Sequence, residues 1–148
     1  MSERVEIFCD GSGGERVDRP GGWAFVVVKD EQVLAERSGG EAKTTALMME
    51  LVAALAALEW LEKERPRAHV LLVSDSRLTL EVVDGTRELK RERYVELAER
   101  LRALAARLRV TTKWVRGHSG KRWNERADAL AEEAKRAVVV PRKRTQRR

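Results

Sequence analysis

The chain has 148 residues, 43% hydrophobic and 36% charged, a balance that suits one soluble domain with a real core and excludes a disordered or membrane-embedded chain. No apolar run approaches the roughly 20 residues that cross a bilayer, and Met1 to Arg4 lead into a strand pattern without a signal-peptide core. The single cysteine, Cys9, excludes an internal disulfide framework and suits a reducing compartment, so a cytoplasmic protein is expected.

Val5 to Asp10 alternate as a strand, then meet Gly11-Ser12-Gly13-Gly14 and a turn-rich stretch that lasts to Pro20-Gly21-Gly22. Trp23 to Lys29 and Val33 to Arg37 supply two more strands, an antiparallel meander. Thr44-Thr45 offer an N-cap to a long helix ending near Arg65-Pro66, with Leu47, Leu51, Leu55, Leu58 and Leu61 on one buried face. The continuous apolar run Val70 to Val73 reads as a central strand covered on both faces. Helical segments follow over Leu78 to Val83 and about Glu92 to Leu108; Val110 to Val115 is the fifth strand, Gly117 to Arg122 a loop, and Asn124 to about Ala137 the last helix. The order βββαβαβα predicts an α/β domain with a five-stranded mixed sheet, three antiparallel strands plus two parallel, flanked by helices.

Net charge is +6, and Arg142, Lys143, Arg144, Arg147 and Arg148 carry five of these charges, leaving the body near neutral. We read residues 1–140 as a single folded domain and 141–148 as an unstructured basic tail. Such a tail is either a phosphate-seeking anchor or a solubilising end.

Four carboxylates share a position. Asp10 and Asp75 end strands, and Glu50 and Asp128 lie early in helices; if the two strands are neighbours, all four reach the crevice beyond the strand ends, where ligands of open α/β sheets gather. Crowded carboxylates repel unless neutralised. Hard oxygen donors with scarce histidine favour Mg²⁺ or Mn²⁺, and two such ions suit hydrolysis of a phosphodiester. His118, in the loop near Asp128, is a candidate for proton transfer or product release. Taken singly, each residue has an ordinary structural reading as a cap, turn or solvated charge; the joint arrangement is what points to a site.

Asp10-Gly11-Ser12, Gly21-Gly22-Trp23-Ala24, Thr44-Thr45 with Met49-Glu50-Leu51, Ser74-Asp75-Ser76, Gly117-His118-Ser119-Gly120 and Asn124 to Ala131 together resemble ribonuclease H of type 1, in the same order, from about residue 3 to residue 137. The resemblance implies a two-metal endonuclease that cuts the RNA strand of RNA·DNA hybrids and leaves 5′-phosphate and 3′-hydroxyl ends. It implies that Asp10 bridges two Mg²⁺ ions, with Mn²⁺ able to substitute, that Glu50 and Asp75 hold one, that Asp128 binds the other, and that His118 assists the attacking water or product departure. Glu50 is also expected to accept from a ribose 2′-hydroxyl, Thr45 to grip a phosphate of the DNA strand, and Asn124 to back the metal ligands. Gly11, Ser12, Thr45, Ser76, Arg77 and Asn124 form the expected substrate-binding set. A monomer with no obligatory protein partner and no membrane association is expected.

The chain departs from that family in three places. Ala46 and Leu47 stand where two groove-contacting asparagines are usual, the glycine-rich turn reads Glu15 to Gly22 without its usual asparagine, and Thr86 to Arg93 is too short for the basic protrusion of many bacterial members. A nuclease of relaxed specificity that also cuts RNA·RNA duplexes therefore stays open. A non-catalytic hybrid-binding module fits less well, because pure binding would favour basic residues over an acidic cluster.

Overall fold

The alternation of the first strand decides the layering. Val5, Ile7 and Cys9 point to one face and Phe8 to the other, and each set enters a separate apolar cluster. The computed structural model describes residues 3–138; the tail lies outside them. The elements are β1 (Arg4–Ser12), β2 (Arg19–Lys29), β3 (Gln32–Thr44), α1 (Ala46–Glu64), β4 (His69–Ser74), α2 (Arg77–Asp84), α3 (Glu92–Arg107), β5 (Arg109–Trp114) and α4 (Arg122–Ala137). They build a five-stranded sheet in the order β3-β2-β1-β4-β5. The meander β1, β2 and β3 is antiparallel, while β4 and β5 join parallel to β1. This is the expected mixed sheet, with the crossover from β4 to β5 made of two helices.

The larger core lies between the sheet and α1, α2 and α3, where Ile7, Phe25, Leu51, Leu58, Leu72 and Leu101 are buried. On the other face α4 packs Ala127 against Phe8, Val26 and Val73. β4 feeds both clusters, through Val70 and Leu72 on one side and Val73 on the other, which explains its unbroken apolar run. Among the described residues no helix is long and apolar enough to cross a membrane.

Three strands of the meander run further than their sequence pattern, β1 by taking in Gly11-Ser12, which pair with Trp23 and Gly22. β2 begins at Arg19 and β3 continues to Thr44, so Pro20-Gly21-Gly22 and Gly39-Gly40 are sheet rather than turn. The reason is tertiary. A Cβ on Gly22 would lie 2.2 Å from the carbonyl oxygen of Ala131, and one on Gly40 would lie 2.9 Å from that of Ala134. The missing side chains let the backbone of α4 rest directly on the sheet.

Candidate active site

Asp10 sits near the end of β1, and Asp75 follows β4 directly. β1 and β4 are parallel neighbours with Phe8 opposite Val73, so continuing the register by two residues brings Asp10 against Asp75. Glu50 arrives from the second turn of α1. It can approach because residue 11 is glycine: a Cβ there would be 2.3 Å from the Glu50 nitrogen, and the Gly11 N–H donates to Glu50 Oε1. Ligand oxygens of Asp10, Glu50 and Asp75 all lie within 4.8 Å of one another.

The electrostatics record the crowding. Burial, then Glu50, Asp128 and Asp75, pushes the Asp10 carboxyl up to about 10, and Asp10 is only 3% exposed. Burial and Asp75 push Glu50 up to about 8, and burial with Asp128 raises Asp75. The leading charges acting on these three are one another and Asp128. A crowded, partly buried set of hard oxygen donors fits one or more divalent ions. Asp128 reaches the set from α4 and shares a second group with His118 and Glu125, again within 4.8 Å. All four predicted carboxylates therefore stand around one crevice, with His118 at its rim.

A profile of the RNase H family matches residues 2–136. Ribonuclease H of Ruegeria pomeroyi is 43% identical over 138 residues, spanning 83% of this chain and 84% of the relative, and that of Pseudomonas fluorescens is 39% identical over 142 residues, spanning 88% and 91%. This chain belongs to the ribonuclease H family. Among solved structures, the N-terminal RNase H domain of a Mycobacterium tuberculosis protein, fused to maltose binding protein, matches with a TM-score of 0.80 at 28% identity, covering 92% of this chain and 96% of that one. The chain is thus a ribonuclease H enzyme of a metal-dependent family, with the carboxylate cluster where its strands end.

All but one of the remaining predicted residues of this ribonuclease H have defined side-chain partners. Thr45 is the N-cap of α1, accepting from the Met48 N–H at 3.1 Å, and its hydroxyl meets that of Tyr94 at 2.8 Å. Ser76 caps α2, accepting from the Thr79 N–H at 3.3 Å. The Arg77 guanidinium lies 4.0 Å over the ring of Trp114, whose indole N–H donates to the Asp75 carbonyl at 3.0 Å. Ser12 donates to Glu132 at 2.5 Å. Asn124 is buried at the start of α4, one turn before Asp128, and its Oδ1 has no partner among the described residues.

Sequence reasoning gave no site role to Gly117 and Glu125, which it quoted only within motifs, and passed over Glu132. A Cβ on Gly117 would lie 2.7 Å from Asp75 Oδ2, so only glycine lets the His118 loop close on the cluster. His118 itself adopts φ +55°, and the Gly120 N–H donates to Glu125 at 3.2 Å, tying this loop to α4. Glu125 and Glu132 stand three before and four after Asp128, the helical spacing that shares a face, and that was the available signal.

Proposed function

We propose that this ribonuclease H hydrolyses the RNA strand of RNA·DNA hybrids endonucleolytically, giving 5′-phosphate and 3′-hydroxyl ends. The observation that carries the reading is the convergence of Asp10, Glu50 and Asp75 within 4.8 Å, with Asp128 acting on both Asp10 and Asp75. These four would hold two Mg²⁺ ions, or Mn²⁺ in their place. When bound, such ions supply an activated water and stabilise the charge on the leaving oxygen. Asp10, the most buried of the four, orients the centre. Glu50, with one oxygen taken by the Gly11 N–H, keeps the other for a ribose 2′-hydroxyl. His118, exposed at the rim, takes a proton from the attacking water or gives one to the departing product. Gly11, Ser12, Thr45, Ser76, Arg77 and Asn124 line the hybrid, Arg77 offering its guanidinium to a phosphate from its seat on Trp114.

Residues 1–140 act as the catalytic domain, and the basic residues 141–148 as a non-specific anchor on the duplex backbone. The enzyme works as a monomer without an obligatory protein partner, and its one buried cysteine suits the reducing cytoplasm. A second reading, relaxed specificity that includes RNA·RNA duplexes, is favoured by Ala46 and Leu47, which carry no hydrogen-bonding side chain at the start of α1.

Cleavage of labelled RNA·DNA, RNA·RNA and DNA·DNA duplexes in Mg²⁺, Mn²⁺ and EDTA tests both readings. Hybrid cleavage alone supports the first and cutting of both RNA-containing duplexes the second. Activity that persists in EDTA, or in Asp10→Asn and Asp75→Asn alike, overturns the metal mechanism.

A further inference from the structure

Two side-chain ties hold α4 to the sheet: Arg126 pairs with Glu36 of β3 at 2.8 Å, towards the start of the helix, and a second tie to β1 lies a single helical turn beyond Asp128. Ser12 Oγ donates to Glu132 Oε1 at 2.5 Å. Ser12 follows Asp10 by two residues, on the same face of β1, and Glu132 follows Asp128 by four, on the same face of α4. Two strand residues advance about 6.6 Å and four helix residues about 6 Å, so Asp10 with Asp128 and Ser12 with Glu132 make two successive rungs between strand and helix. Gly22 is paired with Ser12 in the sheet, and a Cβ on it would meet both the Ala131 oxygen at 2.2 Å and the Lys135 nitrogen at 2.6 Å. The backbone of α4 therefore touches the sheet at the very level of the second rung. Lys135 Nζ lies 3.3 Å from Glu132 Oε2, so each carboxylate oxygen of Glu132 has its own partner.

The two rungs differ. The first places two acidic groups side by side and gains strength when a cation lies between them; the second is a charge-assisted bond that is attractive without one. We propose that Glu132 is a positioning residue: its grip on Ser12 registers α4 against β1, so that Asp128 already stands beside Asp10 before a divalent cation arrives. Cation binding then meets no reorganisation of the helix. This inference rests on the reading of Asp128 as a cation ligand, and it extends that reading to a residue that touches neither metal nor substrate.

Glu132 has a plainer way to act, as one more negative charge near the centre, and the choice of variants separates the two. Glu132→Ala removes both bond and charge; Glu132→Gln removes the charge but keeps an oxygen that accepts from Ser12. Calorimetric titration of Mn²⁺ into the full chain reads the outcome without turnover. Glu132→Ala is expected to weaken binding about tenfold, Glu132→Gln to stay within about threefold of the parent, and Asp128→Asn to weaken it at least as much as Glu132→Ala. The Mn²⁺ concentration for half-maximal hybrid cleavage should shift by the same factors while KM for the hybrid stays constant.

If Glu132→Gln loses as much affinity as Glu132→Ala, charge explains the effect and positioning is overturned. If Asp128→Asn weakens binding and Glu132→Ala does not, the Glu132 proposal alone fails. If Asp128→Asn leaves the isotherm unchanged, the reading of Asp128 fails and this inference with it. Should Glu132→Ala not fold, Ser12→Ala breaks the same rung from the other side, and its Mn²⁺ isotherm alone carries the comparison, because Ser12 also belongs to the proposed substrate-binding set.

Discussion

Asp10 bears the conflict on which the site depends. Its carboxyl, ordinarily near 3.8, is pushed up to about 10 by burial and by Glu50, Asp128 and Asp75. The folded chain therefore holds this proton more tightly than the unfolded chain does. The stability contributed is complete below the ordinary value and is lost as pH climbs from there towards 10. In EDTA the melting temperature should fall across that window. Asp10→Asn develops no charge and should melt higher than the parent at about pH 8, by about 2 kcal/mol or roughly 6 °C, while losing cleavage. Mg²⁺ should raise the parent's melting temperature more than the variant's. A parent melting temperature that is flat over this range in EDTA would contradict the strain. Cys9, beside Asp10, gives a second readout: burial first, then the Glu50, Asp10 and Asp75 carboxylates, hold its thiol well above the usual range. Alkylating reagents should label it only on unfolding, and fast labelling of the native chain would count against this packing.

At the scale of elements, the fit of α4 to the sheet decides where Asp128 stands. Gly22→Ala drives a methyl into the Ala131 carbonyl, 2.2 Å away, and should cost about 3 kcal/mol with a large loss of activity. Gly14→Ala, whose nearest neighbour would be 3.9 Å away, should change stability by less than about 0.5 kcal/mol; equal melting temperatures for the two variants would refute the close approach of α4. The same docking explains what was legible beforehand. Asp10 and Asp75 could be placed at strand ends because alternation and apolar runs are local, and Thr45 is the cap that its position before an apolar repeat suggested. Gly39-Gly40 carries a turn signature in isolation; it is strand because Trp23 and α4 lie against it, which no local window contains. Glu125 and Glu132 were visible as neighbours of Asp128 on one helix face, but what they meet depends on where that helix lands.

Over the whole molecule, charge is arranged against the proposed substrate at the centre and in its favour elsewhere. A crevice of carboxylates repels a phosphate backbone until cations fill it, while the body of the chain is near neutral and five positive charges fall in the last eight residues. Removing Pro141 to Arg148 should therefore weaken hybrid binding and flatten its dependence on salt, by up to about one released counterion for each phosphate that the tail neutralises. An unchanged affinity and salt slope would leave the tail no part in binding. The central claim, that Asp10, Glu50, Asp75 and Asp128 jointly cage divalent ions, is tested most directly by titrating Mn²⁺ into the chain and following paramagnetic broadening of its backbone amide resonances. Gly11, Glu50, Asp75 and Asp128 should broaden first and together; broadening that begins at Glu3 and Glu64, at the opposite ends of these strands, would contradict the account.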